Sequence, residues 1–246
     1  MLHRNQPALA VFALAMLLLA LPALAALAFD PRTVHGVATW AKPLKFMVST
    51  ALFAATMAWV IGLLPEPVRR SRTIGTLSWL VIGTASFEVG YISLQAALGA
   101  PSHYNTSDPF HAAMFGLMGI AAVVLVATQA VLARLVLRHA RPLAPLAVAV
   151  AIGLVLTCVL SILSGFLLGG LRPPAGIGLP VFGWHAGGDL RPAHFLAVHA
   201  QQFLPLAGLA LQRVRPRRAW PVLSAFTAAY VAGWAWLVSI GLAPAI

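Results

Sequence analysis

The feature that most restricts this chain is a succession of seven apolar runs, separated by connections too short to hold a soluble domain. A hydrocarbon core about 30 Å thick needs roughly 20 apolar residues in helical form. Runs near 7–29, 44–64, 74–98, 110–136, 144–168, 191–212 and 219–241 meet that requirement. Lipid offers the backbone no hydrogen-bond partners, so a spanning segment is either a helix or part of a closed barrel. The runs are continuous rather than alternating, which argues against a barrel. Only 9% of the residues are charged and 61% are hydrophobic, against roughly a quarter charged in soluble domains. The sequence therefore predicts one all-α transmembrane domain over residues 1–246, a polytopic bundle of about seven helices.

The formal charge of +11 would ordinarily raise nucleic acid as a partner. The arginines instead follow membrane topology, gathering in "RRSR" (69–72), "RHAR" (138–141) and "RVRPRR" (213–218) after spans two, four and six. By the positive-inside rule these connections are cytoplasmic. The amino terminus with His3 and Arg4 then lies inside and the arginine-free carboxyl terminus "GLAPAI" outside. The expected location is a bacterial inner (plasma) membrane, with anionic lipid as the partner of the arginines and no nucleic acid. The first run also has the look of a secretory signal, with Arg4 ahead of it and Pro22 and "ALA" near its end. The reading favours a retained helix at the edge of the bundle, against lipid. Cys158 is the only cysteine, so neither an intrachain disulfide nor a cysteine-based zinc cage is available.

With that orientation, six of the eight histidines and four of the five acids fall on the outer half. Helical periodicity places Thr84, Glu88, Tyr91 and Gln95 on one stripe of span three. Asp108 and Pro109 read as the cap and first position of span four, whose His111, Met114 and Met118 share a face. Span five offers Thr157, Cys158, Ser161, Ser164 and Gly165, and its Ser161, Gly165 and Gly169 form a small-xxx-small pattern suited to close helix approach. In "HFLAVHAQQ" of span six, His194 and Gln201 line up while His199 and Gln202 turn away. An acid at mid-bilayer costs at least about 2.5 kcal/mol, so Glu88 needs a compensating partner.

These positions assemble an outward-facing funnel. Lys42, His103, Asn105, Asp108, His185, Asp189 and Arg191 form its rim, and His111, His194, Lys45 and Gln95 its throat. Glu88, His199 and Gln202 form the floor, with Tyr91 beside them. Glu88 and His199 are the expected catalytic pair. Lys42, Lys45, Gln95, His103, Asn105, Asp108, Asp189, Arg191 and Gln202 are the expected substrate contacts. Plainer roles exist for several of them: the lysines can snorkel to the interface, and Met114 and Met118 can be core filling.

Three functions fit. In the first, His111, His194, His199 and Glu88 hold zinc, copper or iron, or a haem sits between histidines, making a metal- or haem-dependent membrane enzyme or redox protein acting on a small or lipid-like molecule. The second is a small-solute or proton-coupled carrier or receptor. The third is a non-catalytic subunit docked to another membrane protein or to a second copy of itself. The seven spans with Ser102, His103, Asp108, His194 and His199 are loosely similar to the alkaline ceramidase and adiponectin-receptor superfamily of membrane zinc hydrolases. That family carries H-x3-H in its last span, whereas His194 and His199 stand five apart at the head of the sixth, so membership is not assigned.

Overall fold

The computed structural model describes residues 6–139, 144–174, 178–179 and 182–244. His3, Arg4 and Arg141, which entered the topology reading, lie outside them. The described chain is mostly helical, with one hairpin of two two-residue strands. Its elements are α1 (Pro7–Phe29), β1 (Thr33–Val34), β2 (Val37–Ala38), α2 (Ala41–Gly62), α3 (Glu66–Arg69), α4 (Arg72–Ala97), α5 (Pro109–His139), α6 (Pro145–Gly170), α7 (Arg191–Val198), α8 (Ala200–Leu211) and α9 (Pro216–Leu242). Six of these helices, α1, α2, α4, α5, α6 and α9, are long and apolar enough to cross a membrane. The protein is thus a multi-pass helical membrane protein.

The sixth expected span, 191–212, is not one helix. It divides into α7 and α8 at His199, whose backbone (φ −92°, ψ 5°) leaves the helical region. Together α7 and α8 cover 191–211, about 31 Å of helix at 1.5 Å per residue.

Contacts along the backbone divide the chain into two compact units. The first comprises Met1–Gly62, Arg69–Leu125 and Pro174–His185; the second comprises Leu63–Val68, Val126–Pro173 and Ala186–Ile246. In the first unit α1 packs along α2, burying Leu9, Phe12, Ala13, Met16, Ala20 and Ala23, and α2 packs on α4. The expected edge helix is thereby fixed by one apolar stripe, while Leu14, Leu17, Leu18 and Leu21 stay exposed, as lipid-facing residues do. The hairpin turns through His35 (φ 54°) and Gly36 (φ 80°), the left-handed pair of a two-residue turn.

In the second unit α6 lies against α7 and α8, and α9 closes on all three. The close approach uses Gly153 and Gly208: a Cβ on Gly153 would lie 2.8 Å from Ala200 O, and one on Gly208 2.6 Å from Ala149 Cβ. The small stripe of α6 therefore starts a full two turns earlier than Ser161-Gly165-Gly169 predicts, and a Cβ on Gly169 would meet no described atom within 4 Å.

Candidate functional site

The first unit brings a polar stripe of α4 inward. Glu88, Tyr91 and Gln95 are 8%, 5% and 2% exposed, spaced three and four apart so that they stack on one helix face. Glu88 Oε1, the Tyr91 hydroxyl and Gln95 Oε1 are each buried without a hydrogen-bond partner among the described residues. Thr84, the fourth member of the expected stripe, spends its hydroxyl on Leu80 O at 2.7 Å. Glu88 lies nine residues before the end of α4, about 14 Å below it. Lys42, at the start of α2, is the charge within electrostatic reach of Glu88, and its Nζ stands 6.0 Å from the Phe46 ring centroid.

The wall beside this stripe is aromatic and thioether. Tyr91, Ile92 and Met118 form a buried cluster against which Phe46, Phe87 and Met114 pack. His103 stands between Phe46 and Phe115, at 6.2 and 6.0 Å between ring centroids, and its Nδ1 pairs with Ser102 Oγ at 3.2 Å. So of the expected first-unit residues, Glu88 and Gln95 share a helix face with Tyr91, while Lys42 and His103 both lie against Phe46, which packs on the Tyr91 cluster. The Met114–Met118 face is shared core.

Other expected contacts prove to be engaged in local architecture. Asp108 caps α5 by accepting from the His111 N–H at 3.0 Å and pairs with His111 Nδ1. Those bonds hold its carboxyl below the ordinary carboxylate range. Asn105 shapes the preceding loop, donating to Pro101 O and accepting from Ser107. Lys45 Nζ donates to Phe182 O at 2.9 Å.

Asp189 and Arg191 are bound to each other in the second unit. Arg191 gives its N–H and Nε–H to Asp189 Oδ1 and Nη2 to Oδ2, at 3.0, 2.8 and 2.7 Å. The same pattern joins Asp30 and Arg32 in the first unit, where Trp40 Nε1 also donates to Asp30. Asp-x-Arg is thus a repeated clasp, an Asx-type turn closed by a guanidinium fork. Its signal stands in the sequence as "DPR" and "DLR". The side-chain bond from Arg32 holds the Asp30 carboxyl far below its ordinary range. A depressed carboxyl stabilises the fold fully above its unfolded pKa, and that contribution is lost as the pH falls through the folded value. Thermal stability is therefore expected to be flat with respect to Asp30 at neutral pH and to fall below about pH 4. Melting curves of Asp30→Asn against pH should show a smaller acid loss than the wild type.

The second constellation surrounds the α7–α8 break. Gln201 N–H donates to Thr157 Oγ1 at 2.9 Å, and Thr157 Oγ1 donates to Val198 O at 3.4 Å. The Tyr230 hydroxyl donates to Leu196 O. Side chains of α6 and α9 thus stand in for the missing backbone bonds, as buried polar backbone requires. His194 Nδ1 pairs with Ser164 Oγ at 2.9 Å, and Ser164 Oγ also reaches Leu160 O at 2.7 Å. A hydroxyl that donates to Leu160 accepts from the imidazole, which makes His194 an Nδ1–H tautomer. His199 Nδ1 pairs with Gln202 Oε1 at 3.2 Å, and its ring packs on Phe195 at 4.3 Å. The roles of Thr157, Tyr230 and Gln201 were not foreseen as a group. Pro205, which cannot donate to the Gln201 carbonyl, was the available signal.

The four expected metal ligands divide two and two: Glu88 and His111 in the first unit, His194 and His199 in the second. Among the described residues no three of His, Cys, Asp or Glu gather into a metal-holding set. Comparison with protein-family models, curated proteins and solved structures finds no match for this chain.

Proposed function

We propose that this protein is a carrier or receptor for a small polar molecule, bound on the Glu88–Tyr91–Gln95 face and coupled to a proton on Glu88. One observation carries the reading: three polar atoms in a row, each buried and each without a partner among the described residues. Burying a single such group costs about 1–3 kcal/mol, so a face of three is a site whose partners arrive from outside the chain. An acid at that depth is a proton-binding group by default, and a sealed polar face is what an occluded carrier presents. In this reading α7–α8 is the seventh crossing, the arginine-bearing connections face the cytoplasm of a plasma membrane, and the carboxyl terminus faces outward.

The test is proton movement into liposomes loaded with a pH-sensitive dye. Wild-type protein should carry protons under an imposed membrane potential, and Glu88→Gln should cut that flux at least tenfold. Equal flux in both proteins would overturn the proton role and favour a non-catalytic subunit.

A second reading has its own support. His194 is oriented through Nδ1 by Ser164, and an imidazole held this way is the arrangement metal and haem ligands use. A metal- or haem-dependent enzyme would show a Soret band or stoichiometric zinc, copper or iron in the purified protein. Both signals should vanish in His194→Ala and His199→Ala.

A further inference from the structure

We infer that the molecule taken by the Glu88–Tyr91–Gln95 face is a small protonated amine, an inference that rests on the binding role proposed for that face. The argument is one of donors and acceptors. The unpartnered atoms of Glu88 and Gln95 are both carbonyl-type oxygens, and the third is the Tyr91 phenol oxygen. An ionised carboxylate and an amide oxygen accept but never donate. The Tyr91 phenol can donate or accept, so the two oxygens that can only accept set the requirement, and the partner they call for is one with N–H or O–H donors. Charge then selects among donors, because a hydrogen bond between two ions is about twice as strong as one between neutral groups. A cation on Glu88 also removes the cost of a lone carboxylate in the membrane interior.

The surroundings fit the same ligand. Phe46 and Met114 pack against the Tyr91–Ile92–Met118 cluster, offering ring faces and polarisable sulfur to the body of an organic cation. The chain itself places an ammonium in this setting: Lys42 holds Nζ 6.0 Å from the Phe46 ring while its charge reaches Glu88. A ligand amine would repeat the chemistry that Lys42 already displays.

The experiment titrates three probes of one shape, benzylammonium, benzyl alcohol and benzoate, into the protein in neutral-lipid nanodiscs at pH 7. Benzylammonium is expected to bind at least tenfold more tightly than either of the others. Glu88→Gln should erase that preference. Tyr91→Phe, which keeps the ring in the core and removes an unpartnered hydroxyl, should weaken benzylammonium about threefold while the melting temperature holds or rises. Preference for benzoate, equal binding of all three, or no binding would each overturn the inference. Labelling of Gln95→Cys in a Cys158→Ser background with a membrane-impermeant thiol reagent separates this from the reading beneath it. Labelling together with benzoate or alcohol preference leaves a binding face with a different ligand. Failure of the Gln95→Cys variant to label, together with no probe binding, overturns both.

Discussion

Leucine at Gly208 or Gly153 is expected to leave the second unit unfolded, with the purified protein aggregated rather than monodisperse. A single carbon is already too much at these positions. A Cβ on Gly208 would sit 2.6 Å from Ala149 Cβ and 3.1 Å from Leu146 Cα, and one on Gly153 2.8 Å from Ala200 O and 3.1 Å from Leu204 Cβ and Pro205 Cδ. Carbon pairs rest at about 3.5–4.0 Å, so α6 and α8 must separate. Overpacking by one methyl typically costs about 1–3 kcal/mol, and three further carbons act against a total stability of about 5–15 kcal/mol. Alanine at either position should lower the melting temperature by several degrees. A Cβ on Gly83 or Gly90 would meet no described atom within 4 Å, and alanine there should be neutral or raise it. Wild-type melting in Gly208→Leu would mean that α6 and α8 are not in contact.

The second large effect is expected from Thr157→Val, which keeps the shape and removes only the hydroxyl. That hydroxyl is the acceptor for Gln201 N–H and a donor to Val198 O, in a region where Thr157 and Gln201 are both 0% exposed. Val198 O keeps Gln201 Nε2 at 3.5 Å, so the Gln201 N–H is the group left orphaned, and valine should destabilise by about 1–3 kcal/mol. Thr157→Ser should recover most of the loss. Hydrogen exchange at residues 199–202 should quicken in the valine variant before the rest of the unit melts. A valine variant as stable as the wild type, with slow exchange there, would mean that the chain simply closes into an unbroken helix without the threonine.

The long apolar helices were legible in the sequence because lipid leaves the backbone so few choices. Their ends moved by a few residues, to Ala41–Gly62 and Pro145–Gly170 for example. The inward face of α4 was legible for the same kind of reason: Glu88, Tyr91 and Gln95 recur at helical spacing, and an acid in that setting must turn away from lipid. The break at His199 was not legible, because it depends on Thr157 and Tyr230, some forty and thirty residues away, and on what Pro205 fails to donate. Asn105, Asp108, Asp189 and Arg191 were read as ligand contacts since polar residues at an outer rim invite it. Each also bonds a residue one to four positions away, a local structural role that the sequence pattern alone does not separate from ligand contact. Thr128 and Gln129, buried in α5 with Gln129 Nε2 donating to Thr128 Oγ1, escaped the sequence reading because a polar pair inside a long apolar run carries little weight in an average over the run.

The way α9 meets the segment before it has a bearing on biogenesis. Tyr230 holds the Leu196 carbonyl, and Gly241 lies so close to Asp189 that a Cβ there would stand 2.9 Å from its carbonyl oxygen and 2.7 Å from Leu190 Cδ2. A ribosome delivers those clamps more than thirty residues after the backbone they secure. Until then the Leu196 carbonyl waits without that donor, and maturation of the second unit ends only when its final helix arrives.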